Sequence, residues 1–371
     1  MAFESVSVRA FRNLSHVDFK PSPRLNVISG DNGQGKTSLV EALYVASTSR
    51  SFRSERLAEV IQEGQERALV RTQVVSEAPG LPPLRHEQRA LVAPRGRSFL
   101  IDGKKPKLLA DYATKTPMVV FHPGDLTLAS GPASGRRTLL DRIVLYLDPA
   151  GADARLRYQK ALRERHHLLE TRGVVGADLD AYEEVLAEHG ARFALARQRA
   201  ALALVGALLP AWKRMARSGL PLSARHAPGG TTDREDFSRE LRARREKDLR
   251  RGAATFGPQR DELVLEVDGR PARSHASQGQ QRILTLSLKV AELDCVREAC
   301  RAEPVLLLDD VSSELDPERT GAVYAFLRDT ASQVFVTTTR PELFVTKELA
   351  GRERADFTVR DGALVEVAHE A

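Results

Sequence analysis

The first hundred residues alternate between apolar and polar positions, a pattern typical of half-buried β-strands. The first two runs flank Phe11-Arg12-Asn13 and predict an antiparallel pair, and Asp102-Gly103 predicts a tight turn after the last run. The strands predicted in this region cover residues 3–9, 15–20, 25–28, 69–76, 85–93 and 97–101. We therefore expect an α/β core that carries an antiparallel β flap.

From about residue 127 the apolar residues change to the spacing of amphipathic helices, among many Arg and Glu side chains. The helices predicted here cover residues 139–147, 156–169, 179–209 and 239–251. A strand pattern returns at residues 263–267. We therefore expect a mainly helical domain, residues 125–253, inserted between the two parts of one α/β domain, residues 1–124 and 254–371.

The last third of the chain alternates helix and strand patterns. They predict helices at residues 278–301 and 317–328, strands at residues 305–308 and 333–337, and a final hairpin at residues 356–367. Asp361-Gly362 is a typical turn pair for that hairpin. The two terminal thirds must fold together, because a phosphate-binding loop near one end needs a metal-binding strand from the other.

That loop is a glycine-rich turn between the strand at residues 25–28 and an apolar helix. All eight positions of the Walker A pattern G-x-x-x-x-G-K-[ST] are filled. Glycines let backbone N–H groups approach a polyphosphate, the lysine reaches the β and γ phosphates, and the threonine hydroxyl binds Mg²⁺. The predicted nucleotide-binding residues are Gly30, Asp31, Asn32, Gly33, Gln34, Gly35, Lys36, Thr37 and Ser38. Lys36 is also a predicted catalytic residue, and the expected ligands are ATP and Mg²⁺.

Two aspartates follow a continuous apolar run that predicts a strand buried on both faces, as in a parallel sheet. Carboxylates at that end of a strand lie where open α/β sheets bind ligands. Asp309 is therefore predicted to hold Mg²⁺ together with Thr37, and Asp310 is predicted to be the catalytic base that orients the attacking water.

A third element opens the predicted helix at residue 278. Ser277, Gly279 and Gln280 combine a hydroxyl, a small residue and an amide at a helix N-terminus, which can recognise a phosphate. Serine and glutamine are also ordinary residues at helix starts, so the stretch is a weak signal by itself.

Composition adds a soluble character and a positive charge. Hydrophobic residues make up 42% and charged residues 29% of 371, with a net charge of +6 and a pI near 9.4. A basic chain favours a polyanionic partner. We expect no segment with the apolar length of a membrane span, and the N-terminus has no signal-peptide pattern, so we expect a cytoplasmic protein without a membrane partner. Cys295 and Cys300 are expected to be buried thiols without a metal or disulfide role.

These motifs, in this order, resemble the SMC-related branch of the ATP-binding-cassette superfamily. The resemblance rests on the Walker A loop, the helix at Ser277, the Asp309-Asp310 pair and the loop at residues 313–316. It narrows to the RecF family, which Phe11-Arg12-Asn13-Leu14, Arg136-Arg137, residues 257–261 and residues 334–339 resemble in sequence and order.

The resemblance implies an ABC-type P-loop ATPase core and an ATP-dependent homodimer, in which the helix at Ser277 meets ATP held by the other copy. It implies binding to duplex DNA and to junctions between double-stranded and single-stranded DNA. It also implies work with RecR and RecO to help load RecA, in recombinational repair, replication and the SOS response. ATP hydrolysis would be weak, DNA-stimulated and used as a switch.

The chain departs from the family pattern at several positions. Gln259 stands where histidine is expected, and Thr338 lies in a run that replaces the switch histidine of cassette transporters. His122 lies near the expected place of a Q-loop glutamine. Sensing of the γ-phosphate by these three residues is therefore left open. Asp310 replaces the usual glutamate, and its shorter side chain predicts slow hydrolysis.

The predicted DNA surface is a set of basic side chains. It comprises Arg12, Arg50, Arg53, Arg136 and Arg137, and a basic helix with Arg242, Arg244, Arg245, Lys247, Arg250 and Arg251. A solvated helix face explains such charge runs equally well. We find no motif that reads the base sequence of DNA, so we expect binding through the DNA backbone and its shape.

This function has three alternatives. A transporter ATPase subunit is disfavoured by the missing switch histidine, the basic charge and the large helical insertion. A nuclease of the overcoming-lysogenization type would need an added acidic domain after the ATPase. In a third alternative, ATP is only a structural ligand, and a turnover assay would decide that question.

Overall fold

The structure is a computed structural model that describes residues 1–77, 82–173, 175–216, 219–310, 333–344 and 353–367. The predicted helix at residues 317–328 and the predicted loop at residues 313–316 lie outside these ranges. Strands are numbered in chain order as β1 Ala2–Phe11, β2 Leu14–Phe19, β3 Leu25–Ser29, β4 Ala68–Ser76, β5 Leu84–Ala93, β6 Gly96–Ile101, β7 Met118–Phe121, β8 Leu222–Ala227, β9 Glu262–Val267, β10 Arg270–Pro271, β11 Val305–Leu308, β12 Val334–Thr338, β13 Arg354–Arg360 and β14 Ala363–Val367.

The helices are numbered in the same way. They are α1 Lys36–Thr48, α2 Leu109–Ala113, α3 Ala133–Leu147, α4 Pro149–Arg172, α5 Ala177–Met215, α6 Arg234–Ala243, α7 Arg245–Arg251, α8 Ala272–His275 and α9 Gln278–Cys300. Short 3₁₀ turns lie at Leu57–Val60, Pro123–Thr127, Pro258–Arg260 and Pro341–Phe344.

The chain divides into two compact units by its internal contacts. One contains residues 1–124 and 296–371, and the other contains residues 125–295. The predicted inserted domain ended at residue 253, so the second unit is longer at its C-terminal side. The reason is strand pairing, because β9 pairs with β8 and keeps the residues after 253 in the second unit. The extent of each independently folding domain stays a prediction.

A six-stranded sheet in the first unit has the order β14-β13-β3-β12-β11-β7. Strands β13, β3, β12, β11 and β7 run parallel, and β14 is an antiparallel edge. All four residues of β11 and all five of β12 are buried, as expected for parallel strands covered on both faces. The strand that precedes the glycine-rich loop and the strand that precedes Asp309 are therefore separated only by β12.

The predicted flap is a five-stranded antiparallel sheet with the order β2-β1-β4-β5-β6. Its buried face shares one apolar core with α1 and with the six-stranded sheet. Phe3, for example, stacks edge-on against Phe335 of β12, with ring centroids 6.0 Å apart. This packing fixes the β1–β2 turn beside the glycine-rich loop.

The second unit combines α3–α7 with a small sheet in the order β10-β9-β8. Its interior holds charged groups in pairs. Arg165 is 1% exposed and donates to Glu183 and Asp248, and Arg197 is 3% exposed and donates to Asp141 and Asp261. These buried pairs compensate the charges of Arg165 and Arg197 inside the unit, so the two arginines are unavailable to a surface ligand.

Helix α5 corrects one expectation from the sequence. It is long and apolar enough to cross a membrane, with a mean hydropathy of 1.2 in its best 18-residue window. Within that window 44% of the helix is buried in the fold. A core helix of a water-soluble protein passes the same test, and the buried side of α5 includes Leu186, Ala187 and Phe193, which pack with α4 residues such as Tyr158.

Candidate nucleotide site

The glycine-rich loop joins β3 to α1 at the carboxyl edge of the six-stranded sheet. Gly35, with φ 119°, precedes the helix that begins at Lys36, and it offers no side chain to cap the helix. The first-turn N–H groups of α1 are therefore directed at whatever anion enters the loop. Gly30, with φ 142°, permits close approach to β13, because a Cβ there would lie 2.5 Å from the carbonyl oxygen of Val359.

Lys36 is held inside the loop. Its Nζ donates to the carbonyl oxygens of Gly30 and Asp31, at 2.7 and 2.9 Å, and the residue is only 6% exposed. Burial lowers the pKa of Lys36, while the nearby carboxylates of Asp310 and Asp309 raise it. A phosphate could replace the two carbonyls as the ammonium's partner with little movement of the side chain.

Asp309 meets Thr37 across the sheet. The hydroxyls of Thr37 and Thr337 both donate to Oδ1 of Asp309 at 2.9 Å, and the Asp309 amide donates to the carbonyl oxygen of Phe121 at 2.8 Å. Burial raises the pKa of Asp309, and the two hydroxyl hydrogen bonds act in the opposite direction. Residues 272 positions apart in the chain thus form one polar site.

The residues at this point fit a magnesium ion. A buried carboxylate and a threonine hydroxyl in contact supply the oxygen ligands that Mg²⁺ takes, with the remaining positions left to water and phosphate. Among the described residues, no group of three or more His, Cys, Asp or Glu side chains is close enough to hold a metal alone. Thr37 and Asp309 would therefore hold the ion only together with a nucleotide.

Asp310 lies next to this pair with an uncommon backbone conformation. Its φ is 50°, and its amide donates to the hydroxyl of Thr337 at 2.9 Å. Asp310 lines a cavity of about 640 Å³ together with Lys36 and Thr37. A left-handed aspartate costs about 1 kcal/mol or more, and here it turns the residue toward the phosphate loop.

Arg12 and Arg53 also line the cavity. Both donate to Glu41, a fully buried carboxylate of α1, and Arg12 does so through two bonds of 2.9 and 3.0 Å. The hydroxyl of Ser51 also donates a hydrogen bond to the Glu41 carboxylate, at 2.5 Å. Arg12 and Arg53, predicted as DNA contacts, are thus placed in the nucleotide cavity and anchored by a buried anion.

Two further predicted DNA contacts are also engaged inside the fold. Arg136 is 5% exposed and binds Glu262 through two hydrogen bonds of 2.8 and 2.9 Å. Arg137 donates to the carbonyl oxygen of Asp261 at 3.0 Å. The DNA contact of Arg136 stays a prediction, and the burial of its guanidinium and its pairing with Glu262 disfavour it. Arg50 lies half-buried just after α1, and its DNA contact stays a prediction.

Ser277 caps α9. Its hydroxyl accepts from the Gln280 amide at 3.2 Å, and the Gln280 side chain accepts from the Ser277 amide at 2.7 Å. This reciprocal arrangement is a capping box, which fixes the start of the helix and leaves exposed Ser277 and half-exposed Gly279 at the surface of the second unit. Their contact with a nucleotide stays a prediction.

The three residues left open as phosphate sensors have internal partners. Gln259 accepts a 2.6 Å hydrogen bond from the hydroxyl of Tyr158, His122 stacks on Phe52, and the Thr338 hydroxyl accepts from the Arg340 amide. Gln259 and His122 thus have structural contacts that explain them without a sensing role. Thr338 is fully buried at the end of β12.

Glu41 is the site residue that the sequence reasoning missed. A signal was available, since it is a single charge in the otherwise apolar run at residues 39–43 of α1, between Val40 and Ala42. A carboxylate at a core position needs a cationic partner. Its partners, however, come from segments 29 and 12 residues away.

Comparison with known proteins identifies the family. Residues 2–352 match the family model described as RecF/RecN/SMC N terminal domain. The chain is 38% identical to the DNA replication and repair protein RecF of Anaeromyxobacter sp. (strain Fw109-5), over 98% of each chain. The chain belongs to the RecF family. RecF of Geobacter sp. (strain M21) is 33% identical, over 99% of this chain and 100% of that protein.

Solved structures agree in fold. A structure of the recombination mediator protein RecF with ATP, in the RecFOR pathway, superposes with a TM-score of 0.85 and 28% identity, covering 99% of this chain and 98% of that one. The Smc head domain of Pyrococcus furiosus superposes with a TM-score of 0.53 at 17% identity, over 99% and 96% of the chains, and shows the fold alone. The predicted resemblance to RecF and the predicted ABC-type α/β core are confirmed.

Proposed function

We propose that this protein is an ATP-dependent, DNA-binding dimeric clamp of recombinational repair and replication-fork maintenance. The observation that carries the proposal is the 2.9 Å contact between the Thr37 hydroxyl and the Asp309 carboxylate, beside Lys36 in the phosphate loop. This arrangement suits a nucleoside triphosphate, since loop amides, an ammonium and a metal-binding pair converge on one cavity.

The chain's own residues divide the work on ATP. The loop amides and Lys36 bind the phosphates, and Thr37 with Asp309 holds the Mg²⁺ that offsets phosphate charge. Asp310 orients the attacking water from the cavity wall and accepts its proton. Its side chain is shorter than that of glutamate and holds the water less closely, so turnover is weak. We propose that DNA stimulates this turnover and that hydrolysis serves as a switch.

Dimer closure would use the start of α9, which Ser277 caps. Ser277, Gly279 and Gln280 of one copy meet the γ-phosphate bound by another copy, so two ATP molecules join the halves and hydrolysis releases them. ATP biases closure only through its higher affinity for the closed state, and moving the equilibrium from 1:99 to 99:1 needs about 5.5 kcal/mol.

The cellular setting follows from relatives. One matched RecF structure is described as a recombination mediator in the RecFOR pathway. We extend this to the present chain, with binding to duplex DNA beside single-stranded gaps, cooperation with RecO and RecR in loading RecA, and a cytoplasmic location.

Sedimentation velocity tests the clamp. The Asp310→Asn protein should remain dimeric in ATP, while wild type returns to monomer as ATP is consumed and Lys36→Ala stays monomeric throughout. The same runs with ADP, and with ATP plus gapped duplex, separate nucleotide-driven from DNA-driven closure. An Asp310→Asn protein that binds ATP and stays monomeric would contradict the proposal.

Turnover separates the clamp from an ATP-binding protein that uses ATP only structurally. Phosphate release should be slow in wild type, faster with gapped DNA and absent in Asp310→Asn. Equal rates in wild type and Asp310→Asn would remove Asp310 from its proposed role.

A further inference from the structure

A groove in the second unit, distant in sequence from the phosphate loop, lies between α5 and β8. It encloses about 550 Å³ and is bordered by the short segment after β8. We call it the α5–β8 groove. Leu202 and Val205 of α5 and Ala224 and Arg225 of β8 are among the residues that line it.

One side of the groove is the outer strand of the small sheet. β8 pairs antiparallel with β9, and β9 separates it from β10. The Asp268 amide donates to the Pro221 carbonyl, so every second residue of β8, counted from Pro221, hydrogen-bonds to β9. The N–H and C=O groups of Leu222, Ala224 and His226 therefore point away from β9, and no backbone hydrogen bond to them is made within the described ranges.

The other side is an apolar face of α5. Ala194, Gln198, Ala201 and Val205 recur at helical spacing along the groove. Leu202 also lines it and is 68% exposed, so its side chain is accessible to a bound segment. An apolar wall next to an open strand edge is the geometry that accepts an added strand, with alternate side chains entering the groove.

Hydrogen bonds to a buried carboxylate and between backbone groups fix the segments beneath the groove, so the groove is formed before a segment binds. Asp261 is 1% exposed, accepts from the Gly229 amide at 2.7 Å and binds Arg197 at 2.9 Å. The Gly257 amide donates to the Gly229 carbonyl at 2.9 Å. A rigid receptor of this kind loses little conformational entropy when a segment binds.

Charge selects the occupant. Ser223 and Arg225 are exposed, and they alternate along β8 with half-buried Leu222 and Ala224. The Arg225 guanidinium makes no ion pair within the described part of the chain. Residues of an added strand beside Arg225 would therefore be favoured if acidic, and their alternate neighbours would be favoured if apolar.

We propose that the α5–β8 groove binds an extended segment of a partner protein, which adds to β8 as a strand and alternates apolar with acidic side chains. The apolar side chains pack on Leu202 and Val205, and the acidic ones lie beside Arg225. This proposal is independent of ATP binding. Pro221 and Arg225 would equally discourage accidental edge pairing, which is the simpler explanation that the experiment must exclude.

Titration calorimetry on the full-length protein tests the groove with defined probes. The first probe is an octapeptide of alternating valine and glutamate, and the second replaces glutamate by lysine. A third carries N-methyl groups on alternate amides of the first, which removes strand pairing and keeps composition and charge. Wild type should bind the first probe with a dissociation constant below about 1 mM, and bind the other two at least about tenfold more weakly.

Variants locate the site and its charge preference. Leu202→Glu should weaken the first probe about tenfold or more, whereas Val185→Glu, at an exposed valine of α5 outside the groove, should not. Arg225→Glu should reverse the preference toward the lysine probe. Circular dichroism would verify folding of each variant.

Four results would contradict the proposed strand addition. Equal binding of the N-methylated probe, no binding of any probe, or indifference to Leu202→Glu would overturn the proposal. A dimer that forms in the absence of nucleotide and is lost in Ala224→Pro would also overturn it, because the groove would then belong to a second copy of this chain.

Discussion

Two buried carboxylates flank the nucleotide loop, and their neighbours differ. Glu41 is surrounded by the guanidinium groups of Arg12 and Arg53, so its charge is compensated inside the fold. Asp309 accepts side-chain hydrogen bonds from the hydroxyls of Thr37 and Thr337, it makes no ion pair within the described ranges, and burial raises its pKa. A cation would stabilise such an anion, which supports the proposed metal-binding role of Asp309 and a structural role for Glu41.

Asp309→Asn should therefore abolish ATP turnover and raise the free energy of unfolding at neutral pH. The raised pKa of Asp309 means that the folded state holds a proton more tightly than the unfolded chain, so stability falls as pH rises from the unfolded value through the folded one. Asparagine keeps an oxygen for both threonine hydroxyls and carries no charge. Denaturant unfolding should show the variant more stable than wild type at neutral pH, with the difference vanishing in acid, while Mg²⁺-dependent ATP turnover is lost. A variant less stable at neutral pH would contradict this account.

Glu41→Ala should have the opposite effect on stability. The change leaves two guanidinium groups without their anion at a buried site, which costs about 2–4 kcal/mol once the partial exposure of Arg53 is allowed for. Urea unfolding of wild type, Glu41→Ala and the exposed control Glu55→Ala measures this cost. We expect the control to lie within about 0.5 kcal/mol of wild type.

At the scale of elements, two turns support the phosphate loop. The Asn13 side-chain amide, in the β1–β2 turn, donates to the Gly33 carbonyl at 3.0 Å. In the β13–β14 turn, the Gly362 amide donates to the Gln34 carbonyl at 3.1 Å, and the Asp361 amide donates to the Gln34 side chain at 2.5 Å. The loop's shape is thus set by the flap and by the last hairpin.

Gly362→Ala should disturb the loop from outside. Gly362 has φ 74°, and a Cβ there would overlap the Asn13 carbonyl oxygen. Gly269→Ala is the matched control, because Gly269 has φ 71° in the β9–β10 turn and open space around it. Both changes should cost about 1 kcal/mol of backbone strain, and Gly362→Ala should lose further stability and bind a fluorescent ATP analogue more weakly. Equal nucleotide affinity in the two variants would show that the β13–β14 turn does not support the phosphate loop.

Sequence patterns predicted the elements with strong periodicity. The flap strands, β3, β11, β12, α9 and the final hairpin lie within a few residues of their predicted places, whereas α3, α4 and α5 were predicted in place but too short. The four-residue β7 and the polar edge strand β8 were not predicted as strands, because their runs are short or carry Arg and His. The predicted basic helix is two helices that meet at Arg244.

The site was predictable as far as local motifs reach. The loop, Asp309 and Asp310 carry their chemistry in short patterns, and parallel strands place them together. The environments of Arg12 and Arg136 could not be predicted, since their carboxylate partners lie 29 and 126 residues away. A charged residue in a sequence shows its sign, and only the fold shows which opposite charge it already binds.

For the whole molecule, this pairing changes where DNA could bind. Of the predicted basic helix, Arg242 binds Glu184, Arg244 binds Glu240 and Arg245 binds Glu183. Lys247 and Arg251 are exposed. The net charge of +6 is thus carried by fewer accessible cations than the count of Lys and Arg indicates. Neutralisation of about six phosphates would still give a log–log salt slope of roughly −5 for duplex DNA.

Salt dependence can separate surface cations from internal ones. The double variant Lys247→Ala/Arg251→Ala should reduce the magnitude of the slope by up to about 2, because each lost phosphate contact removes about one unit. Arg136→Ala should leave the slope unchanged and lower the free energy of unfolding by about 2–3 kcal/mol, since it removes four hydrogen bonds from a buried guanidinium. Fluorescence anisotropy of a gapped duplex between low and moderate salt, with denaturant unfolding of the same proteins, measures both quantities. A slope that falls in Arg136→Ala and stays constant in the double variant would reverse this division of the basic residues.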